Sequence, residues 1–331
     1  MGLTYARSGV NIADGDDFVR RIKKSVRPTF SKAVLSDIGA FGAFYDARFE
    51  GYRHPVLVSS VDGVGTKLLV AQRMNRHDTV GQDLVNHCVN DILACGARPL
   101  FFLDYFATGR LEPVTAASLL QGFVKACKEN SCALVGGETA EMPGLYKDNE
   151  YDLSGTIIGV VEKKKILDGK KVRRGDIVIG LPSTGLHTNG FSLARAVLLP
   201  VFGFDEFRDD LGDTVGNALL RIHRSYLKPV RRLLEKFSVH GLAHVTGGGI
   251  LGNTKRILPS GMRLTIDWGS WERPPLFRLI QETGAVPEKE MRRTFNLGVG
   301  MTLVVSRTLC DRIMDSLKTM RERPFVMGEI R

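Results

Sequence analysis

Short apolar runs rich in β-branched residues recur through the first half of the chain, and most end beside glycine or an acidic residue. Their length and composition are typical of strands. The four runs are residues 55–61, 99–105, 132–135 and 153–161. Between them, residues 80–95 and 116–130 repeat apolar positions at helical spacing, so this half is predicted to be an α/β domain.

A charged, glycine-containing stretch at residues 162–175 interrupts this rhythm and marks a domain junction. A second α/β pattern follows it. Its predicted strands are residues 176–181, 263–267 and 300–305, and its predicted helices are residues 191–198, 226–237 and 309–320. We therefore predict an N-terminal domain at residues 1–164 and a C-terminal α/β domain at residues 165–331. Periodicity does not separate parallel from mixed sheets.

The predicted helix at residues 80–95 carries an apolar stripe and a contrasting polar stripe. The polar stripe consists of Asp83, Asn86, His87, Asn90 and Asp91. A solvated helix face normally carries Lys, Glu and Arg, because these are better helix formers. The stripe therefore favours a ligand-binding face over a solvent-exposed one.

The chain of 331 residues has a formal net charge of +10, from 46 basic and 36 acidic residues. This excess suits a nucleic-acid-binding protein or an enzyme for anionic, phosphorylated small molecules. The basic run at residues 163–174 has no interleaved aromatic residues and matches no nucleic-acid-binding motif. An enzyme with a small anionic substrate and no nucleic-acid partner is the favoured interpretation.

Cysteine, histidine and hydropathy patterns narrow the class further. The five cysteines form no C-x-x-C pair and the seven histidines show no metal-ligand spacing, so neither a disulfide framework nor a zinc site is predicted. No apolar run has the length of a membrane-spanning helix, and residues 1–7 lack the apolar core of a secretory signal. These features predict a cytoplasmic protein without a membrane partner.

Glycine followed by acid at strand ends is suited to binding a nucleotide and its metal ion. Glycine lets backbone N–H groups approach phosphate oxygens, and nearby carboxylates hold Mg²⁺ against those phosphates. Asp62, Asp91 and Glu138 are the candidates, each beside a strand end or in a following helix. Residues 62–67 (DGVGTK) do not match a P-loop, so Lys67 receives no role.

Two loops in the second half have the composition of anion-binding loops. Residues 183–190 (STGLHTNG) and 246–249 (TGGG) each precede a predicted helix start. Together they indicate a phosphate pocket, and His187 is a candidate polar contact or proton carrier there.

Several motifs follow one another in the same order as in the aminoimidazole ribonucleotide synthetase family, and the chain resembles that family over nearly its whole length. They are YARSGV (5–10), RIK (21–23), VDGVGTK (61–67), RHDTVG (76–81), VND (89–91), PLFFLDYFATG (99–109), VGGETAEMPG (135–144), GLHTNG (185–190), AHVTGGG (243–249) and RTFNLGVGM (293–301). The stretch GGETAEMPG is especially specific to this family.

The resemblance implies two α/β domains, with the N-terminal domain forming a homodimer through its sheet and ATP bound at the dimer interface without a P-loop. It also implies the reaction. ATP phosphorylates the formyl oxygen of formylglycinamidine ribonucleotide, an amidine nitrogen attacks the activated carbon, and phosphate leaves as the imidazole closes.

The resemblance further implies roles for single residues. Those expected to bind ATP and Mg²⁺ are Asp62, Gly63, Val64, Asp91, Gly136, Gly137 and Glu138, with Asp62, Asp91 and Glu138 as metal ligands. Lys23 is expected to reach the phosphates from the N-terminal segment as a catalytic residue. The residues expected to face the substrate are His187, Thr188, Asn189, Gly247, Gly248 and Gly249, with His187 also catalytic.

Two alternatives stay open at this point. One is another ATP-using relative, such as a thiamine-monophosphate kinase, a selenophosphate synthetase or a formylglycinamidine ribonucleotide synthetase. The more remote one is a basic nucleic-acid-binding protein, which the clustered carboxylates at strand ends disfavour because they repel a phosphate backbone.

Overall fold

The computed structural model describes residues 22–39 and 41–331, and in it the chain forms two compact units. The first contains the described residues up to Ile92 together with Arg98–Glu162. The second contains Leu93–Ala97 and Lys163–Arg331. The YARSGV motif and Arg21 lie outside the described residues. The assignment of functions to domains 1–164 and 165–331 stays a prediction.

The first unit is built on a mixed four-stranded sheet with the order β1-β4-β2-β3. Strand β4 runs antiparallel to both β1 and β2, while β2 and β3 are parallel. The strands are β1 (Pro55–Gly63), β2 (Arg98–Thr108), β3 (Ala133–Glu141) and β4 (Tyr151–Glu162). The four predicted strands of this half are therefore confirmed, and the structure adds that the sheet is mixed.

Helices α1 (Leu68–Arg73), α2 (Asp78–Ala94) and α3 (Pro113–Glu129) complete the main elements of this unit. Cys88 on α2 donates to the Gly155 carbonyl of β4, which places α2 against one face of the sheet. We call this the inner face. Phe102 of β2 is fully buried there, and a side chain at Gly155 would collide with its ring.

Helices α2 and α3 pack with their backbones unusually close, because a glycine stands on each side of the crossing. A Cβ at Gly81 would collide with the Leu119 carbonyl oxygen. A Cβ at Gly122 would collide with the Asp78 carbonyl oxygen. This packing holds α2, which carries the polar stripe, at a set height above the sheet.

The opposite face of the sheet, which we call the outer face, leaves apolar side chains open. Exposure alternates along β1, and Leu57 and Val61 are 61% and 65% exposed. Tyr105 of β2 is also exposed, whereas Tyr45 packs on the ring of Phe101 at 5.0 Å. An apolar patch of this kind on a sheet is typical of a protein interface.

The second unit is built on an antiparallel five-stranded sheet with the order β8-β10-β5-β11-β9. Its strands are β5 (Ile177–Pro182), β8 (Gly241–His244), β9 (Leu264–Ile266), β10 (Val299–Val305) and β11 (Phe325–Ile330), and a small hairpin pairs β6 (Phe207–Arg208) with β7 (Asp213–Thr214). Its helices are α4 (Phe191–Leu198), α5 (Val215–Leu220), α6 (Leu227–Lys236), α7 (Gly249–Lys255), α8 (Pro275–Thr283), α9 (Glu288–Thr294) and α10 (Cys310–Thr319).

The predicted strands and helices of the second half are confirmed, but the periodicity missed several elements. Strands β8 and β11 and helices α8 and α9 were not predicted. Strand β8 has only four residues, too few to show a period. Among the described residues, no helix has both the length and the hydropathy needed to cross a bilayer.

We predict that Gly122→Ala lowers the free energy of unfolding by about 1–3 kcal/mol, because the new methyl group forces α2 and α3 apart. The matched control is Gly252→Ala, since Gly252 also lies in a helix but has no atom within 4 Å of its missing Cβ. The control should gain about 0.5–1 kcal/mol from helix propensity alone. Urea unfolding of both variants measures the difference, and equal behaviour would contradict the close crossing.

Candidate active site

The end of β1 and the middle of α2 bring two carboxylates to the same imidazole. His87 Nε2 lies 2.7 Å from Asp62 Oδ2 and 3.8 Å from Asp91 Oδ2. Ser60 Oγ donates to Asp91 Oδ2 at 3.2 Å, and the Gly63 amide donates to Asp62 Oδ1 at 2.7 Å. We call Asp62, His87 and Asp91 the carboxylate–histidine cluster.

The cluster has one buried side and one open side. The His87 side chain is 4% exposed, whereas those of Asp62 and Asp91 are 41% and 28% exposed. Burial disfavours the charged ring, but the hydrogen bond to Asp62 and the negative charge of Asp91 outweigh it, so the pKa of His87 is raised. The partly exposed carboxylates of Asp62 and Asp91 are therefore oriented by the buried His87 ring.

A fully buried ion pair lies in the same part of the unit. Lys67 Nζ is 2.7 Å from Asp83 Oδ2, and both side chains have no exposed surface. Lys67 ends the turn Gly65–Lys67 that follows β1. Burial lowers the pKa of Lys67, and the charge and hydrogen bond of Asp83 oppose that shift. The pair joins the turn to α2.

Four of the five residues in the polar stripe of α2 are buried rather than solvated, as the sequence interpretation favoured, and Asp91 is partly exposed. Asp83 and Asn90 have no exposed surface, and Asn86 and His87 are 4% and 3% exposed. Asn86 accepts a hydrogen bond from Asn130 at 2.8 Å. Since Asp83, His87 and Asp91 are spaced four residues apart, they form one column along the helix.

Glu138 lies at the other edge of the sheet. Register places Asp62, Gly155, Asp104 and Gly137 in one row across β1, β4, β2 and β3. Neighbouring strands are about 4.8 Å apart, so three steps separate the β1 and β3 backbones by roughly 14 Å. Successive residues alternate faces, so Glu138, which is exposed, lies on the outer face while Asp62 lies on the inner face.

A cavity of about 500 Å³ opens next to the glycines of β3, a volume within the usual range for a small-molecule site. Its lining residues include Gly136, Gly137, Glu138 and Asp104. Apolar residues of α3 and of the segment 22–43 complete the lining. Burial raises the pKa of Asp104 to about 7, so the cavity holds one carboxyl group that ionises with difficulty.

Lys23 lies in the helical stretch 22–26, whose neighbours Ile22 and Val26 line this cavity. The pKa of Asp37, a further lining residue, is lowered by its hydrogen bond to Arg27, and the charge of Lys23 contributes. Lys23 therefore lies in a stretch that borders the cavity.

In the second unit, the loop 183–190 after β5 holds His187 in a strained conformation. The φ angle of His187 is +60°, which a residue with a side chain seldom adopts. Its ring is buried, its Nε2 accepts from the Thr184 amide at 3.3 Å, and it stacks on His223 at 3.9 Å. A Cβ at Gly300 would lie 2.6 Å from His187 Cε1. Strain kept by such packing is typical of functional loops.

His187, His223 and His244 have ring nitrogens within 4.8 Å of one another. His223 Nε2 and His244 Nε2 are 2.9 Å apart and share a hydrogen bond. The rings of His187 and His223 are stacked, with 17° between their planes. Because an imidazole lone pair lies in the ring plane, these two rings do not point at one ion, and the three histidines form a hydrogen-bonded and stacked group instead.

The two predicted anion-binding loops of the second unit lie side by side. Asn189 Oδ1 would be 3.1 Å from a Cβ at Gly247, so the loops are in contact where glycine leaves room. Asn253 of α7 holds the glycine loop, because its Nδ2 donates to the carbonyls of Thr246, Gly247 and Gly249 at 3.2, 3.2 and 2.9 Å.

The structure thus brings together Asp62 with Asp91, Gly136 and Gly137 with Glu138, and His187 to Asn189 with the glycine loop. Their roles stay predictions. His87, Lys67, His223 and Asn253 were not assigned roles from sequence. Helical spacing was a usable signal for His87, whereas His223 acts through a contact distant in sequence. Glu141, also unassigned, accepts the Leu111 amide at 2.8 Å.

Several solved structures share this fold. A thiamine-monophosphate kinase from Stenotrophomonas maltophilia superposes with a TM-score of 0.71 at 18% identity, over 93% of this chain and 92% of the other. HypE of E. coli, a hydrogenase maturation protein, gives 0.68 at 16% identity, over 94% and 90%. A HypE in complex with ATP gives 0.61 at 14% identity, over 94% and 85%. At these identities the likeness shows the fold alone.

The family models match both halves of the chain. The AIR synthase related protein N-terminal domain matches residues 49–161, and the C-terminal domain matches residues 173–331. The chain belongs to the AIR synthase related protein family.

Curated relatives are similar in sequence over nearly the full length of both chains. The phosphoribosylformylglycinamidine cyclo-ligase of Citrifermentans bemidjiense is 50% identical over 330 residues, 99% of this chain and 95% of the relative. The enzyme of the same name from Pseudothermotoga lettingae is 50% identical over 331 residues, 100% and 97%.

We predict that Lys67→Met lowers the free energy of unfolding by about 3–5 kcal/mol, because it leaves the Asp83 charge buried without its cation. The double variant Lys67→Met/Asp83→Leu should recover most of that loss. Lys147→Met is the control, since Lys147 pairs with Glu150 at 3.2 Å but is 85% exposed, and it should cost at most about 1 kcal/mol. A urea-unfolding double-mutant cycle measures the coupling. Equal losses for the two lysines would contradict the buried pair.

Proposed function

We propose that this protein is an ATP-dependent cyclo-ligase that converts formylglycinamidine ribonucleotide into 5-aminoimidazole ribonucleotide. The observation that carries the proposal is the 50% identity to curated cyclo-ligases over essentially the full length of both chains. The convergence of Asp62 and Asp91 at the end of β1 supports it, because phosphoryl transfer needs carboxylates that manage phosphate charge through a metal ion.

The reaction consists of two displacement steps, the first at phosphorus and the second at the activated carbon. The formyl oxygen attacks the γ-phosphorus of ATP, the bond to the bridging oxygen breaks, and ADP leaves. An amidine nitrogen then bonds to the activated carbon, the C–O bond breaks, and phosphate departs with its electron pair while the nitrogen loses a proton. Phosphorylation is required because an amide-like oxygen is a poor leaving group, and the protein contributes chiefly orientation and electrostatic stabilisation.

The donor set of the carboxylate–histidine cluster fits Mg²⁺. This ion prefers oxygen ligands and is usually held by one or two carboxylates together with waters and phosphate oxygens. Asp62 and Asp91 supply the two carboxylates and keep exposed surface on the side away from His87. When bound, Mg²⁺ would neutralise phosphate charge.

The cavity beside β3 suits the nucleotide. Gly136 and Gly137 border it, and a side chain at Gly137 would collide with Asp104, so glycine keeps the backbone accessible there. Lys23, in the stretch that borders this cavity, is a candidate to contact phosphate. In the second unit, His187, Thr188 and Asn189 with the glycine loop are the candidates for the ribose phosphate.

We also propose a homodimer formed through the outer face of the first unit. Leu57 and Val61 are more than half exposed on this face and Tyr105 lies near them in the sheet. Glu138 is on the same face, remote from Asp62 of its own chain. A second copy packed face to face would place Glu138 at or beside the interface, whereas Asp62 and Asp91 lie on the inner face.

Activity is tested by incubating the protein with formylglycinamidine ribonucleotide, ATP and Mg²⁺. We expect ADP and phosphate in equal amounts, dependent on both substrates. Asp62→Asn should lower kcat/KM by about 100-fold or more, a loss typical of one preorganised electrostatic contact. The exposed Asp148→Asn is the charge-matched control and should leave the rate unchanged. ADP formation with thiamine monophosphate and none with formylglycinamidine ribonucleotide would replace the proposal with the kinase alternative.

The dimer is tested with Leu57→Glu, which places a charge on the outer face. We expect the variant to be folded but monomeric by light scattering at concentrations where the unmodified protein is dimeric, because burying an unpaired carboxylate opposes association. Val201→Glu is the control, since Val201 is similarly exposed, at 60%, in the second unit. A dimeric Leu57→Glu protein would show that the interface lies elsewhere.

A further inference from the structure

We propose that His87 is a positioning residue that holds the carboxylates of Asp62 and Asp91 in register for one divalent cation. The inference rests on the proposed metal site and goes beyond it, because the reaction uses the carboxylates and leaves His87 without a role.

The two carboxylates come from different elements, so something must set their relative position. Asp62 lies at the end of β1 and Asp91 lies on α2, and a single nitrogen, His87 Nε2, faces an oxygen of each at 2.7 and 3.8 Å. Two carboxylates at such separations repel each other. A donor N–H between them reduces that repulsion, and this N–H exists in one neutral tautomer as well as in the protonated ring.

Each carboxylate also accepts a hydrogen bond from a donor of its own, and His87 is the partner that the two carboxylates share. The Gly63 amide binds only Asp62, and the Ser60 hydroxyl binds only Asp91. Among these contacts, only His87 is shared: its Nε2 lies at hydrogen-bond distance from Asp62 and within ion-pair distance of Asp91. Its side chain is 4% exposed, so the packed helix and sheet restrict its rotation.

The buried Lys67–Asp83 pair lies one helical turn from the His87 ring. Asp83 lies one helical turn before His87 and contributes to the electrostatic field at the ring. Lys67 sits 2.7 Å from Asp83 Oδ2 and supplies the compensating charge. The Asp83 charge is thus compensated within the same part of the helix that carries His87. Removing a partner that orients a metal ligand in this way typically lowers metal affinity by about 10- to 100-fold.

The test measures binding of Mn²⁺ with the non-hydrolysable nucleotide AMPPCP to the full chain, by the paramagnetic resonance signal of free Mn²⁺. Mn²⁺ is suitable because it shares the oxygen preference of Mg²⁺. His87→Met and His87→Asn both lose the contact to Asp62, and each should raise the Kd for Mn²⁺ by about 10- to 100-fold. His87→Gln keeps an N–H donor on a longer side chain and should recover part of the affinity.

The matched control is His77→Gln. His77 is a buried histidine of the same unit that bonds Tyr151 and Asn75 and has no contact with either carboxylate. It should leave the Kd for Mn²⁺ unchanged. Thermal unfolding identifies which variants are folded, and two loss-of-contact variants are used so that one folded protein is enough for the comparison.

The outcomes separate this inference from the proposed function. If the unmodified chain shows no Mn²⁺ binding that Asp62→Asn abolishes, both the metal site and the role of His87 are overturned. If that binding is present and a folded His87→Met or His87→Asn protein keeps the unmodified affinity, the role of His87 alone is overturned. Weaker binding in the loss-of-contact variants, partial recovery in His87→Gln and no change in His77→Gln support it.

Discussion

The fully buried salt bridge between Lys67 and Asp83 is the interaction around which the first unit is organised. Each of these groups alone would be very costly at zero exposure, and together they compensate each other. Their pairing connects the turn after β1 to the middle of α2 and so sets the height of the helix relative to the strand. Asp62, His87 and Asp91 then meet because both of their elements are held at this point.

The four-stranded sheet of the first unit separates two chemical environments. Its inner face carries the carboxylate–histidine cluster and packs under α2 and α3, whose glycine crossing allows the helices to lie close. Its outer face carries exposed Leu57 and Val61 with Glu138. Alternation along the strands dictates this division, since neighbouring residues point to opposite faces.

In the second unit, the candidate functional loops are held by a different kind of interaction. There the functional candidates lie on loops, and side chains outside those loops hold them in place. His223 stacks on His187, whose backbone is strained at a φ of +60°, and Asn253 bonds three carbonyls of the glycine loop. The first unit relies on a buried charge pair, whereas the second relies on hydrogen bonds and ring stacking to keep a loop in an unfavourable conformation.

The amino-acid sequence by itself determined the main strands and long helices, the two-domain division in outline and the family, because these follow from local periodicity and from motifs read along the chain. Spacing of four residues also placed Asp83, His87 and Asp91 on one helix face. Only the tertiary structure decided that Lys67 turns inward to Asp83, that β4 lies between β1 and β2, and that Glu138 faces away from Asp62. Strand order and the direction of a side chain after a turn depend on contacts between distant residues, and such contacts leave no period in the sequence.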